Sequence, residues 1–316
     1  MSTKILHISV SSLEDFLTCR RLYYYKRIKR YEKIQFSLPF LVGRVVHTGM
    51  NYVLQKVEKP ITQMTIFYRE EKKKIKNTLT LTPKQEEDLN EQELVTQGML
   101  RAYQRRYGAM IRDASLIASE VEGAVQINDK VIFVIKLDNL LRVRGKKLLH
   151  ELKTSKYITP EYVAHIQIDR QTAIYFHFYN IIFEKSKIEG ILYDVIRKPS
   201  IRQKKNESRV TFLERLGQWY ERPQGDMDVF HVERFKEPRI SEESVINTVV
   251  KVSEDMLRCK EKEDYYEDHS KCTSYYGDVC PYFTLCHEGG ETKENLVLYQ
   301  IRKPYHVSKE NILTKG

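Results

Sequence analysis

Apolar and polar side chains alternate in three successive segments between residues 115 and 154. The segments are LIASEVEGAVQI, VIFVIKLDNLLRV and KKLLHELKT, and turn-forming residues at Asn128-Asp129 and Gly145 separate them. A period of two residues is typical of a β-strand with one face against a core. Strands joined by such short connections pair antiparallel in the simplest arrangement. The sequence therefore predicts a three-stranded sheet around which the other segments must fold.

The residues before these strands have the spacing of helices. Ser11 and Glu14 form a predicted capping box, and the helix that follows places Cys19 on or near its end. Pro39 opens a second apolar-periodic segment, and residues 83–107 have the composition of a long third helix. The N-terminal part is therefore predicted to be helical.

The residues after the strands alternate between the two kinds of structure. A helix is predicted from Pro160 and a strand over 187–198, followed by a helix near 211–222, a short strand over 229–235 and a helix over 241–259. Strands and helices in this order indicate an α/β (α+β) fold with a mixed central sheet flanked by helices.

Composition narrows the class of protein. The formal charge of +10 and the pI near 9.1 favour an anionic partner such as nucleic acid. No apolar run approaches the length of about 20 residues that a membrane span needs, and the N-terminus lacks the features of a secretory signal. We therefore expect a cytoplasmic protein without a membrane partner. In that reducing compartment five cysteines predict metal ligation or simple burial rather than disulfides.

Two acidic residues on adjacent predicted strands suggest a metal site. If the chain turns at Arg144-Gly145, Asp138 lies opposite Glu151 on one face of the hairpin. Directly opposed like charges destabilise a sheet, so a cation between them is expected. Mg²⁺ or Mn²⁺ is the natural ion for carboxylate and water ligands.

Lys153 lies two residues beyond Glu151 and so points to the same face. In that position its ammonium group can hold a phosphate or an attacking water. An isolated pattern of this kind also fits an exposed ladder of ion pairs on a solvated sheet face, and the spacing alone does not separate the two interpretations.

The segment HELKTSK, preceded by a strand that contains Asp138, resembles the motif of RecB-type nucleases in the PD-(D/E)XK superfamily. That family also has a histidine on an upstream helix, which Gly43 to His47 (GRVVH) matches, and a Gln-x-x-x-Tyr motif, here Gln171 and Tyr175. The resemblance implies a restriction-endonuclease-like core, His47 as a third metal ligand, and Gln171 and Tyr175 beside the phosphate or the lysine. Without it, His47 would be a histidine packed beside an apolar helix stripe.

Two neighbouring charges complete the predicted site. Lys136 stands where the family often has a glycine, and it adds positive charge near Asp138. Glu120 is a weaker candidate that would support the metal through water.

Three cysteines near the C-terminus, in C-TSYYGDV-C-PYFTL-C, join Cys19 in a second pattern. With Cys19, the residues Cys272, Cys280 and Cys286 resemble the one-plus-three arrangement of AddB-type, CRISPR-adaptation and exonuclease V-type nucleases. The resemblance implies a [4Fe-4S] cluster that fastens the two ends of the chain around the core. Zinc is the alternative occupant, because four thiolates also suit tetrahedral zinc. Cys259 lies outside the pattern, and His269 or His287 would be the nearest substitute for Cys19.

Two basic stretches are candidates for contacts with DNA. Residues 20–31 interleave arginine and lysine with four tyrosines, which suits phosphate contacts and base stacking, but also fits a solvated helix face with its tyrosines turned inward. Residues 197–205 form a second basic stretch that would be a DNA-contacting loop.

Together these features predict three regions packed as one unit: an N-terminal helical region (1–110), a nuclease core (111–200) and a C-terminal helical region with the cysteine triplet (201–316). The resemblance implies a metal-dependent DNA nuclease, an exonuclease acting on single-stranded DNA or single-stranded ends in recombination, repair or phage DNA processing. The alternatives are a catalytically silent DNA-binding subunit of a helicase-nuclease complex and a structure- or sequence-specific endonuclease. The chain lacks a G-x-x-x-x-G-K-[ST] motif, so a helicase or recombinase would be a separate partner.

Overall fold

The computed structural model describes residues 5–222, 228–273 and 279–303, together with the backbone of 312–313. The outermost residues of the predicted terminal regions and the segment between Cys272 and Cys280 extend outside the described residues. The strands are β1 (Leu6–Ser9), β2 (Tyr31–Lys33), β3 (Ala114–Asn128), β4 (Val131–Val143), β5 (Lys146–Ser155), β6 (Ile191–Arg197), β7 (Phe230–Phe235), β8 (Tyr299–Ile301) and β9 (Ile312–Leu313). The main helices are α1 (Val10–Thr18), α2 (Arg20–Tyr23), α3 (Leu38–Leu54), α4 (Pro60–Thr78), α5 (Pro83–Asp113), α6 (Pro160–Ile166), α7 (Arg170–Ile182), α8 (Arg209–Glu221), α9 (Glu242–Lys262), α10 (Phe283–His287) and α11 (Lys293–Leu296).

A seven-stranded mixed sheet lies at the centre of the fold. Its strands follow the order β7-β6-β5-β4-β3-β9, with β1 pairing to β4. The pairs β3–β4 and β4–β5 are antiparallel as predicted, whereas β5–β6 is parallel. In the β4–β5 hairpin Leu141 pairs with Leu148, which is the predicted register. The turn adopts positive φ at both Arg144 and Gly145, as a two-residue hairpin turn with the right twist requires.

Two partners share one edge of β4. Parallel strand β1 pairs with residues 131–134, and β5 pairs with residues 139–143. Residues 135–138 therefore lie between the part of β4 that pairs with β1 and the part that pairs with β5. This interruption opens the sheet at Asp138, because β5 diverges there to follow β6.

Helices cover both faces of the sheet. One apolar core joins the sheet to α1, α7 and α9, and includes Phe16, Phe133 and Phe178. The other joins it to α3, α4, α5 and α8, and includes Tyr68 and Phe212. Burial of these apolar faces drives the layers together. The predicted mixed sheet with flanking helices is confirmed.

Several local predictions need correction. Ser9 rather than Ser11 caps α1, since its side chain accepts from the Ser12 amide. Cys19 does lie at the end of the first helix as predicted, and its extended backbone (φ −167°, ψ 127°) separates α1 from α2. The helix predicted from Pro160 is two helices, α6 and α7, and Asp169 caps the second. The lysine-rich residues before α5 form α4, which the sequence pattern did not indicate.

Strands β2 and β8 tie the two ends of the described chain together. They pair antiparallel, with Glu32 opposite Gln300. Beside them Tyr282 stacks with Tyr25 and Tyr299 at centroid distances of 5.7 and 5.8 Å. The Tyr282 hydroxyl also donates to the Tyr31 carbonyl at 2.6 Å. These contacts join the termini through aromatic packing as well as through the cysteine region. Among the described helices, none combines the length and the apolar character needed to cross a membrane.

Candidate active site and cysteine cavity

Asp138 and Glu151 lie where β4 and β5 separate. The last pair of their ladder is Asn139 with His150, and both acidic residues follow directly after it. The two carboxylates therefore line the cleft between diverging strands. Asp138 was predicted to pair with Glu151, but the strands diverge before this position. The divergence gives room for a ligand between the two carboxylates.

His47 on α3 reaches the same cleft. Its Nδ1 lies 3.4 Å from Asp138 Oδ2, and the ring also contacts the Leu152 backbone. Burial lowers the pKa of His47, which favours the neutral imidazole that metals bind. The helix histidine that the resemblance suggested thus contacts Asp138 and lies within the electrostatic influence of Glu151.

Glu151 is fully buried, and its Oε2 accepts no hydrogen bond from any described residue. Lys153 Nζ lies 2.5 Å from its other oxygen. Burial raises the pKa of Glu151, and the Lys153 ammonium opposes that rise. Burial likewise raises the pKa of Asp138. Buried carboxylates are costly unless they are paired or ligate a cation. The unpartnered Glu151 oxygen, with Asp138 and His47 beside it, therefore fits a divalent cation.

Lys153 connects the carboxylates to α7. Its ammonium donates to Gln171 Oε1 at 3.1 Å, and Gln171 Nε2 donates to the Tyr175 hydroxyl at 3.3 Å. Burial would lower the pKa of Lys153, but the Glu151 charge dominates and raises it, so the ammonium stays charged. Burial also raises the pKa of Tyr175 to about 12. The two α7 residues thus orient the lysine.

Asp169 is a further acidic residue at this cleft that the sequence pattern did not single out. Its Oδ2 accepts from the Thr172 amide at 2.9 Å, which caps α7, and its charge acts on Glu151 and Lys153. An aspartate before a helical segment is a recognised capping signal. That signal was hidden because the helix from Pro160 was predicted to be continuous.

The opposite face of β5 carries a second buried polar group. His150 Nε2 lies 3.0 Å from Asp194 Oδ2 on β6, and the Tyr103 hydroxyl on α5 donates to the same oxygen. All three side chains are almost completely buried. This cluster anchors β5 directly behind the acidic cleft, and no sequence pattern indicated it, since the three residues lie on different elements.

The other two charges predicted near Asp138 neutralise each other. Lys136 Nζ lies 3.1 Å from Glu120 and 3.7 Å from Glu122. Glu120 lies within β3 and adopts a positive φ of 51°. The extra positive charge expected from Lys136 is thus largely balanced.

All four predicted cysteine ligands line one cavity between the two ends of the chain. The residues around it are Cys19, Leu22, Glu267, Asp268, Lys271, Cys272, Cys280, Tyr282, Phe283 and Cys286. The break after α1 aims Cys19 into this cavity, because its extended backbone separates two helical segments. Burial raises the pKa of Cys286 to about 12, with neighbouring thiols adding to the effect. Thiols held this close suit a shared metal centre, which would deprotonate them.

Polar groups surround these sulfur atoms. The Asp268 amide donates to Cys19 Sγ at 3.3 Å, and His287 Nε2 lies 3.3 Å from Cys272 Sγ. The ligand atoms of His269, Cys272 and His287 lie within 4.8 Å of one another. A mixed histidine-cysteine set of this kind is one that zinc accepts. Cys259 does not line the cavity; it lies on α9 and packs in the core that α9 shares with α1.

The basic stretch over residues 20–31 is mostly engaged within the fold. Tyr23 and Tyr25 are buried, and Lys26 and Arg27 both pair with Asp15. Arg21 lies 3.6 Å from Glu267. This arrangement matches the interpretation of a helix face with inward tyrosines. In the second stretch, Arg202 pairs with Asp88 and Glu91.

No curated protein matches the chain. Among solved structures the chain is similar to a candidate exonuclease from Eubacterium rectale, with 14% identity, 91% of this chain and 89% of that chain covered, and a TM-score of 0.48. It is also similar to SSO0001, with 16% identity, coverage of 70% and 85%, and a TM-score of 0.27. The family model of the PD-(D/E)XK nuclease superfamily matches residues 7–287. Because that match spans most of the chain, including both strands of the acidic cleft, the protein belongs to the PD-(D/E)XK nuclease superfamily.

Proposed function

We propose that this protein is a metal-dependent deoxyribonuclease that hydrolyses phosphodiester bonds, acting as an exonuclease on DNA ends. The observation that carries the proposal is the buried Glu151 carboxylate, which has an unpartnered oxygen beside Asp138 and His47. A buried carboxylate oxygen of this kind costs stability unless another group completes it. The surplus of positive charge suits a polyanionic substrate.

Asp138, Glu151 and His47 would hold Mg²⁺ or Mn²⁺. When bound, such an ion neutralises charge on the phosphate and acidifies water. Lys153 donates to a phosphate oxygen or orients the attacking water, because its ammonium stays charged beside Glu151. Gln171 holds Lys153 in place through a hydrogen bond, and Tyr175 in turn fixes Gln171.

End-labelled linear DNA and covalently closed circular DNA separate the proposed function from its alternatives. Purified protein is incubated with each in Mn²⁺, in Mg²⁺ and in EDTA, with Glu151→Gln as the control for a contaminating nuclease. An exonuclease releases label from linear DNA, leaves the circle intact and is inactive in EDTA. Cleavage of the circle would indicate an endonuclease, and no cleavage of either substrate would indicate a silent binding subunit.

We propose in addition that Cys19, Cys272, Cys280 and Cys286 bind a [4Fe-4S] cluster. The support is that these four thiols line one cavity, whereas Cys259 does not. Zinc is the second candidate, favoured by the proximity of His269 and His287 to Cys272.

Anaerobic purification followed by metal analysis and absorbance spectroscopy distinguishes the two. A cluster gives about four irons per chain and broad absorbance near 400 nm. A single zinc without iron, lost on replacement of His287 by Ala, would assign the site to zinc instead.

A further inference from the structure

Two large aromatic side chains beside the acidic cleft are exposed to solvent. Phe40 in the first turn of α3 is 69% exposed, and Tyr157 just after β5 is 49% exposed. Exposing a large apolar ring forgoes the free energy of its burial. Single exposed apolar residues are ordinary, but two at one site mark an interaction surface.

Backbone contacts bring the two segments together. The Lys198 amide donates to the Ser155 carbonyl at 2.7 Å, and Lys198 Nζ donates to the Pro39 carbonyl at 3.3 Å. Lys198 thereby links the start of α3, which carries Phe40, to the end of β5, which leads to Tyr157. Ser155 Oγ also donates to the Tyr157 carbonyl at 2.6 Å and accepts from its amide, so the position of Tyr157 is held.

Each ring is close along the chain to a residue of the proposed site. Phe40 precedes His47 by seven residues, so it occupies the same face of α3 about 10 Å along the helix axis. Gly43 lies between them, and a Cβ there would be 3.6 Å from Thr154 Oγ1. Since Gly43 has no side chain, it does not obstruct the surface of α3 between Phe40 and His47. Tyr157 follows the candidate catalytic lysine, Lys153, by four residues.

Positive charge accompanies each ring. Lys156 Nζ lies 5.1 Å from the centre of the Tyr157 ring, and Arg44 Cζ lies 5.9 Å from the centre of the Phe40 ring. Arg44 is held in place by an ion pair with Glu71. Aromatic faces interleaved with cations suit a ligand that offers both flat bases and phosphates.

From this juxtaposition we infer that Phe40 and Tyr157 form a stacking platform for the unpaired bases of a single-stranded DNA end, which leads its terminal phosphodiesters to the acidic cleft. Duplex bases are already stacked on one another, so the platform selects single strands. The inference rests on the proposed nuclease function and adds to it the substrate class and two residues that select it.

Binding in EDTA tests the platform without cleavage. Affinity for a fluorescent single-stranded oligonucleotide and for a blunt duplex is measured by anisotropy over a range of salt concentrations. The variants are Phe40→Leu and Tyr157→Leu, which keep apolar bulk and remove the ring face. Tyr266→Leu is the matched control, because Tyr266 is also exposed (53%) and also carries a cation, Arg20, over its ring, but lies by the cysteine cavity.

Each platform variant should weaken single-strand binding by about tenfold, as expected for loss of one stacked base. Duplex affinity and the salt dependence should stay unchanged, since no phosphate contact is lost. Tyr266→Leu should bind as the wild type does. Unchanged single-strand affinity in both platform variants, or an equal loss on the duplex, overturns the inference.

Failure of this inference is distinguishable from failure of the proposed function. If the wild type cleaves linear DNA and the platform variants bind and cleave as it does, only the platform is wrong. If the variants lose single-strand affinity but the wild type cleaves nothing, the surface stands and the hydrolytic function fails. For an active enzyme, the variants should raise KM about tenfold with little change in kcat, because stacking contributes equally before and during the reaction.

Discussion

The acidic cleft and the cysteine cavity differ in whether their buried polar atoms have hydrogen-bond partners. In the cleft, Glu151 is fully buried while one of its oxygens has no hydrogen-bond partner among the described residues. Around the cavity, sulfur atoms receive polar contacts, as from the Asp268 amide to Cys19, and stacked tyrosines lie beside them. The cleft thus retains a carboxylate oxygen without a hydrogen-bond partner, whereas the cavity joins distant segments. Substitutions should therefore affect mainly rate in the cleft and mainly stability at the cavity.

Glu151→Gln should give the largest difference between the effect on cleavage rate and the effect on stability. Glutamine keeps the shape of the side chain and removes its charge, so cleavage should fall by about 10³-fold or more, as for loss of a group acting on the transition state. The unfolding temperature of the metal-free protein should change by only a few degrees, because relief of the buried carboxylate offsets its lost ion pair and Lys153 is partly exposed and keeps its hydrogen bond to Gln171. Single-turnover cleavage and thermal unfolding measure the two effects. Unfolding at a much lower temperature would mean that Glu151 stabilises the fold. The cleft would then not differ from the cavity in its effect on stability.

Replacing Cys19 by Ala should instead lower stability and leave the cleavage rate of the folded protein nearly unchanged. If Cys19 is one of four cluster ligands, as proposed, its loss should reduce iron content and lower the free energy of unfolding by about 4 kcal/mol. Activity should fall only as the folded fraction falls. Cys259→Ala is a matched control, since the two cysteines are 8% and 9% exposed and Cys259 does not line the cavity. Equal behaviour of the two variants in iron content and unfolding would contradict a ligand role for Cys19.

Asp194→Asn tests whether the buried polar cluster on the other face of β5 contributes mainly to stability, as is expected of the cysteine cavity. Asp194 accepts from Tyr103 and pairs with His150 in a fully buried cluster, so removing its charge should cost about 3 kcal/mol of unfolding free energy. Tyr103→Phe removes one hydrogen bond and should cost about 1 kcal/mol. Denaturant unfolding gives both values. A wild-type unfolding free energy for Asp194→Asn would show that the cluster contributes nothing to stability.

Gln171→Ala should give the smallest effect. It removes the hydrogen bond that orients Lys153, so kcat should fall by about tenfold, the scale of one misplaced catalytic contact. KM and the unfolding temperature should stay near their wild-type values, because Gln171 is only partly buried. Tyr175→Phe, which loses only the hydroxyl that holds Gln171, should show a weaker decrease. A change in KM with constant kcat would assign Gln171 to binding instead.

Local patterns were sufficient to predict the hairpin that carries the acidic pair. Alternation and a turn at Gly145 set the pairing of β4 with β5, and the observed register is the predicted one. The resemblance to RecB-type nucleases, and not the spacing alone, pointed to His47, Gln171 and Tyr175, whose contacts do reach the cleft. These features depend on neighbours in sequence, where periodicity and turn chemistry act directly.

Other parts of the site depended on contacts between distant residues. No pattern indicated that β1 would pair with β4 and leave Asp138 at an interruption of the ladder. The break that brings Asp169 to the cleft was hidden within a continuous apolar period. The Asp194 cluster joins α5, β5 and β6, and such a combination leaves no local signature.

By itself, the sequence determined the class of fold, the register of the central hairpin and the residue types available for metal ligation. Periodicity, turn residues and cysteine spacing suffice for these, because each acts over a few residues. Only the tertiary structure decided which charges stay unsatisfied, where the sheet opens and which aromatic rings, among them Phe40 and Tyr157, stay exposed. Desolvation and strand divergence arise only when remote segments pack, so the burial that raises the pKa of Glu151 is a property of the folded chain.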